Sequence, residues 1–187
     1  PAQRGDAGAH AHVREEQRCL DRLHLGRESG IALYHRDIAQ HIADPAVDGV
    51  MVLLDGRLPS PPIGRTLGFL PVHIEPGYAV FQGRPQFDHY NPLGTVHGGW
   101  FATLLDSALA CAVHSTLPAG KAYTTLELKM NIVRALTDKV PLVRAEGRVV
   151  HPGNQVATAE GRLIGPDGKL YAHASTTCLV FDARPPR

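Results

Sequence analysis

Several things are scarce in this chain of 187 residues, and each scarcity closes off a class of function. No unbroken stretch of about 18 apolar residues occurs, so no helix is expected to span a membrane. Neither sign of charge dominates: 19 Lys and Arg against 18 Asp and Glu leave a formal net charge of +1. That balance offers nucleic acid no bulk attraction. Only three cysteines are present, Cys19, Cys111 and Cys178. They form no Cys-x-x-Cys pair, have no metal-ligand spacing, and two of them sit in apolar runs. The pattern reads as buried thiols in a reducing compartment, hence a cytoplasmic protein. The N-terminal residues lack the apolar stretch of a secretory signal, and a start at Pro1 is expected of a processed chain or a fragment. GxSxG, GxxxxGK[ST], HExxH and GxGxxG are all missing from the sequence. Ser107 is therefore not the nucleophile of a hydrolase elbow, and neither a metal nor a nicotinamide is expected.

What is present has the profile of one globular domain, 43% hydrophobic and 20% charged, with a tail. Residues 1–45 stand apart as an N-terminal arm with five of the eleven histidines. Val13 to Leu25 and Ile31 to Ile42 are its candidate helices, expected to pack on the domain or on a partner subunit. The pairs His10 with His12 and His35 with His41 lack the i, i+4 spacing of a helical metal site. The main domain is taken as 46–187. Ala46 to Leu58 carries a helical stripe, and Pro59, Pro61 and Pro62 predict an extended stretch after it. Phe69 to Ile74 and Tyr78 to Gly83 predict two strands around the turn Glu75-Pro76-Gly77.

After a polar loop over Pro85 to Val96 comes an almost continuous apolar run, Trp100 to Val113. It is long enough for four to five helical turns, and its composition predicts burial nearly all round. Four alternating segments follow, with the period of half-buried strands. In the first, Leu126, Leu128, Met130 and Ile132 share one face, while Thr125, Glu127, Lys129 and Asn131 share the other. Val143 to Val149, Val156 to Ile164 and Leu170 to Phe181 complete a meander. His151-Pro152-Gly153-Asn154 and Gly165-Pro166-Asp167-Gly168 are its hairpin connections. The predicted class is α+β, a curved antiparallel sheet wrapped around one long central helix. Its open sheet edges favour pairing with a second copy.

Two features point to chemistry. Asp106 is the only charged residue between Gly98 and Val113, in a helix expected to be buried, and an unpartnered buried carboxylate is costly. The same helix opens on Gly98 and Gly99, where bare backbone lets a ligand approach free N–H groups at the positive end of the helix dipole. Without other signals, Asp106 would be a bridging carboxylate, Gly98-Gly99 a packing contact and His97 a loop histidine.

Their joint spacing weighs against that. Asn91-x5-His97-Gly98-Gly99-x6-Asp106 resembles the signature of hotdog-fold acyl-CoA thioesterases of the phenylacetate-degradation (PaaI-like) type. The resemblance runs from about Ile63 to Phe181 and includes Pro92-Leu93-Gly94-Thr95-Val96, the helix end at His114-Ser115 and the strand Thr124 to Leu128. It implies hydrolysis of an acyl- or aryl-CoA thioester to acid and free CoA, with coenzyme A as part of the substrate and no cofactor. It makes Asp106 the nucleophile or general base, and the Gly98 N–H the group that polarises the carbonyl. His97 would support the motif loop, and Asn91 would position substrate or water. In some relatives a hydroxyl from the strand after the helix assists; Glu127 stands at the matching position, with Thr124 and Thr125 beside it. Gly99, Trp100 and Arg134 complete the expected substrate contacts. Relatives often have Arg-Pro where this chain has Arg134-Ala135, and a basic residue after the hairpin glycine where it has Gly153-Asn154, both near the usual coenzyme A groove. The resemblance further implies a site between two protomers, in a homodimer at minimum and a homotetramer by analogy. The alternatives are a non-catalytic acyl-CoA-binding or assembly module and a hydratase on the same fold.

Overall fold

A computed structural model of the protein describes residues 61–183. The expected arm, the helical stripe over Ala46 to Leu58, Cys19 and the histidine pairs lie outside these residues. The first described element is a short helix, α1 (Pro62–Leu67), where an extended stretch was expected. Proline favours the first helical position, where its missing N–H costs nothing. The helix ends at Gly68, whose φ of 67° is left-handed.

The rest is β1 (Phe69–Glu75), β2 (Tyr78–Gly83), a single 3-10 turn (Phe87–His89), α2 (Gly98–His114), β3 (Lys121–Ile132), β4 (Val143–His151), β5 (Val156–Ile164) and β6 (Leu170–Asp182). All six strands form one antiparallel sheet in the order β1-β2-β4-β5-β6-β3. This is the sheet-around-a-helix arrangement that the sequence predicts, with one change of order. The expected meander holds only for β4, β5 and β6. Strand β3 crosses to the far edge and pairs with β6. The segment 133–142 that joins β3 to β4 is too long for a tight hairpin, so it spans the sheet instead.

Helix α2 lies against the sheet, with Leu104, Leu105, Ala108, Leu109, Ala112 and Val113 fully buried. At Gly147 the approach is so close that a Cβ would stand 2.5 Å from the Ala108 carbonyl oxygen. The helix is not buried all round, however. Ala102, Thr103, Asp106, Ser107, Cys111 and His114 are only partly covered and share one stripe. Small and polar residues at this helical spacing leave that side open.

Strand β3 departs from simple alternation. Its register with β6 shifts between Thr125 and Glu127, leaving Leu126 as an extra residue. Such a bulge turns the strand and reverses which side chains face inward. Tyr123 and Thr125 are accordingly half-buried on the same side as Leu128 and Met130, while Leu126 is 60% exposed. The predicted pairing of Leu126 with the inward face is thus corrected.

Candidate active site

The candidate residues fall into two groups along α2. The first surrounds its N-terminus. Asn91 organises the loop before the helix: its Oδ1 accepts the backbone N–H groups of Leu93 at 2.9 Å and Thr95 at 3.3 Å. Its Nδ2 donates to the Thr95 hydroxyl at 3.1 Å. This is the side-chain mimicry of a turn that makes Asn frequent in loops. The His97 backbone donates to the His89 carbonyl, and the His97 Nδ1 caps the helix by accepting from the Gly99 N–H at 2.9 Å. An accepting Nδ1 puts the ring proton of neutral His97 on Nε2. With Gly99 engaged by the cap, the Gly98 N–H has no partner among the described residues. It points outward at the positive end of the helix dipole.

Beside Gly98 opens a cleft of about 380 Å³, lined by Asn91, Thr95, Phe101, Ile132 and Arg134 among others. Its two walls are tied together. Val96 N–H donates to the Leu136 carbonyl, and Tyr90 Oη donates to Asp138 Oδ1 at 2.8 Å while accepting the Asp138 N–H. This clasp between two loops left no signal in the sequence. Ile132 packs so near that a Cβ on Gly98 would meet its Cδ1 at 3.2 Å. The glycine therefore keeps the cleft open and its N–H accessible. Arg134 donates from Nε to the Leu170 carbonyl at 3.3 Å, and its guanidinium lies 5.9 Å from the Tyr171 ring centre.

Trp100, expected at the substrate, belongs to the core instead. It is 3% exposed, donates from Nε1 to the Leu67 carbonyl and stacks on His89. An indole whose N–H is satisfied internally holds the fold together here. Burial pushes the His89 pKa below its usual value, against the opposing pull of Asp88.

The second group lies two turns further along the open stripe of α2. Asp106 Oδ1 accepts the Thr125 hydroxyl at 3.0 Å. The bulge in β3 brings Thr125 to the carboxylate, so the strand hydroxyl next to Asp106 comes from Thr125. Thr124 and Glu127 are exposed and, either side of the bulge, fall on the opposite face of the strand. Glu127 Oε2 accepts from Thr177 there. The structure therefore does not bring Thr124 or Glu127 to Asp106. Three neighbours that the sequence did not single out complete the surroundings. Cys111, on the same helix, has its thiol pushed up to about 12 by burial and by the charge of Asp106. Tyr123 is also held protonated, chiefly by burial. Cys178, opposite Thr125 in the sheet, is fully buried.

Asp106 stands eight positions after Gly98, which is about 12 Å along a helix axis. One thioester carbon cannot touch both groups of a single chain at bonding distance. Among the described residues no cluster of three or more His, Cys, Asp or Glu is placed to hold a metal ion. No helix among them is long and apolar enough to cross a membrane.

Comparison with known proteins agrees with the fold. No curated protein matches the sequence. The model of the thioesterase superfamily matches residues 93–172, which include His97, Gly98, Asp106 and Thr125. A putative thioesterase from Ralstonia eutropha, described as phenylacetic acid degradation-related, is similar at 30% identity. The match covers 70% of this chain and 98% of that one, with a TM-score of 0.63. A variant of the phenylacetic acid degradation protein PaaI from Thermus thermophilus is likewise 30% identical, covering 64% of this chain and 98% of that one, with a TM-score of 0.57. A thioesterase family protein from Silicibacter pomeroyi shares the fold at 22% identity and a TM-score of 0.64, over 71% of this chain and 98% of that one. With a six-stranded antiparallel sheet around one helix, a matching family model and relatives at this identity, the chain belongs to the hotdog-fold thioesterase superfamily, in its PaaI-like branch.

Proposed function

We propose that the protein is an acyl-CoA thioesterase that hydrolyses R–CO–S–CoA to the free acid and the free thiol. The observation that carries this reading is the pairing of two unlike half-sites on one helix. An unengaged Gly98 N–H stands over a cleft, and a half-buried carboxylate, Asp106, is held by the Thr125 hydroxyl. An N–H at a helix N-terminus suits the negative charge that develops on a thioester carbonyl. An ionised carboxylate suits either direct attack on that carbon or removal of a proton from the attacking water. In the first route a mixed anhydride forms as the thiolate leaves, and water then cleaves it. In the second, water adds, its proton passes to Asp106, and the tetrahedral intermediate expels the thiolate.

The separation of about 12 Å along α2 supports a site whose two groups come from two copies of the chain. The partly covered stripe carrying Asp106 and the outer edge of β3, unpaired among the described residues, support a homodimer with its sites at the contact. A tetramer of two such dimers is the larger assembly we propose by likeness to the family. Asn91 holds the loop, His97 caps the helix so that the Gly98 N–H stays free, and Arg134 lies where a substrate phosphate or amide is within reach. The free thiols of Cys111 and Cys178 support a reducing, cytoplasmic setting.

The test is release of free thiol from a panel of aryl, short and long acyl-CoA substrates by the parent and by Asp106→Asn. Turnover by the parent that vanishes in the variant supports the reading. Binding without thiol release across the whole panel, or equal turnover in both proteins, contradicts it.

A further inference from the structure

Among the described residues that line the cleft beside Gly98, only Arg134 is charged. It stands two residues beyond the end of β3, outside the sheet, where a long cationic side chain ordinarily samples many rotamers. Contacts to one place in β6 oppose that freedom. The register between β5 and β6 slips by one residue. Leu163 faces Ala172 and Ile164 faces Leu170, so Tyr171 is the extra residue of a bulge. Its carbonyl accepts two successive backbone N–H groups, those of Val133 at 2.9 Å and Arg134 at 3.2 Å. The Leu170 carbonyl accepts the Arg134 Nε–H at 3.3 Å. The guanidinium carbon lies 5.9 Å from the Tyr171 ring centre, within the range of a cation–π contact. The ring is itself fixed. Tyr171 is buried, and a Cβ on Gly165 would stand 2.8 Å from its Cε2, so the glycine makes room for it. Arginine carries N–H donors on Nε and on both Nη atoms. In Arg134 the Nε donor is engaged, while the Nη donors have no partner among the described residues.

We propose that Tyr171 is a positioning residue: its ring is the platform that holds the Arg134 guanidinium at the cleft, leaving the Nη donors for an oxygen of the coenzyme A arm. The inference rests on the reading of the cleft as the site of an acyl-CoA. The two carbonyl contacts belong to the backbone and survive a change of side chain, so the ring is what a variant at Tyr171 removes. Without the platform the guanidinium keeps its charge but regains rotamer freedom, and ordering it again when substrate binds opposes affinity. The ring acts through Arg134, which shares no ion pair with Asp106. Its effect therefore falls on binding and not on the chemical step.

The experiment measures kcat and KM for thiol release from the best acyl-CoA of the panel, and Kd for free coenzyme A by calorimetry. It uses the full chain, Tyr171→Leu, Tyr171→Phe, Arg134→Ala and the Tyr171→Leu, Arg134→Ala double variant. Tyr171→Leu should raise KM and Kd about three- to tenfold with kcat unchanged, the size of one cation–π contact. Tyr171→Phe, which keeps an aromatic face, should restore both to within about twofold of the parent. In the Arg134→Ala background the leucine substitution should change KM and Kd by less than about twofold, since its effect passes through the missing guanidinium. An equal rise in both backgrounds assigns Tyr171 to packing alone and overturns the inference, as does a phenylalanine variant as impaired as the leucine one. Parental KM and Kd in Arg134→Ala also overturn it. Acyl-pantetheine, which lacks the phosphates, separates the two sources of oxygen. A rise in KM with acyl-CoA alone supports the inference with a phosphate as acceptor, and a rise with both substrates supports it with an amide. If the parent releases no thiol, the reading of function fails; the coenzyme A titration then decides this inference, and absence of binding overturns it. Where the leucine variant folds poorly, Tyr171→Met fills the volume without an aromatic face and carries the same expectation.

Discussion

The two ends of the site are built to different degrees of completion. Around Gly98 a single copy supplies everything: the Asn91 turn, the His97 cap, the Tyr90–Asp138 clasp and a cleft with two tied walls. Around Asp106 it supplies a carboxylate, one hydroxyl and a stripe of helix that the described residues cover only in part. Holding a carbonyl calls for fixed donors, and fixed donors need their own hydrogen-bonded scaffold. Asp106 is half-buried on the partly covered stripe, where a second copy would complete its surroundings in the proposed dimer. Under the proposed function, the contrast makes the electrophilic half of the chemistry internal to one copy and leaves the basic half to be completed by a second.

The largest effect that would break the contrast is loss of the carboxylate. Asp106→Asn should lower kcat for thiol release by about 10²–10⁴-fold, the range for removing a positioned acid or base. A fall of less than tenfold would mean that Asp106 is only structural. Next comes its partner. Thr125→Ala removes one hydrogen bond to a charged group and should lower kcat about ten- to a hundredfold. Thr125→Ser should restore most of it, and failure of serine to do so would point to packing by the methyl group instead.

Smaller effects are expected at the Gly98 end, and they should appear in stability before rate. His97→Ala removes a helix cap and should cost about 1 kcal/mol in denaturant unfolding. Tyr90→Phe unties the clasp; it should cost about 1 kcal/mol and raise KM more than it lowers kcat. A change confined to kcat would show that the loops move during the chemical step.

The smallest effect concerns pH. His89 has a folded pKa below its usual value because it is buried against Trp100. On acidification the unfolded chain takes up this proton first, so stability is full above the usual histidine value. It falls as pH drops from there to the lowered one. Melting curves of the parent should show this loss between neutral and mildly acidic pH, and His89→Asn should reduce it. An equal loss in both proteins would assign the effect to other groups.

Much of this was legible in the sequence because it rests on local patterns. The helix from Gly98 to His114, five of the six strands at nearly their final bounds and the spacing of Gly98 and Asp106 follow from periodicity and from two glycines before an apolar run. What stayed hidden depends on pairing between distant segments. The position of β3 beside β6 required the crossing segment 133–142, which no turn signal marks. The bulge at Leu126 interrupts a pattern that alternates without fault, so Thr125 and Glu127 read as one face, whereas in space only Thr125 reaches Asp106. The bulge shows only in space, where Thr176 bonds the Glu127 carbonyl beside it. Trp100 was misplaced for a related reason. Its position beside the glycines suggested a substrate contact, but the acceptor for its N–H is the carbonyl of Leu67, 33 residues earlier.

The claim that the two half-sites of one reaction come from different copies has a direct test. Asp106→Asn and Gly98→Val chains, each inactive alone, are co-expressed with different affinity tags, and the mixed dimer is isolated. In a two-fold dimer with shared sites, the hybrid contains one site with both defects and one with neither. The account predicts recovery of about half the parental activity per dimer. Activity no higher than that of either variant alone would contradict it.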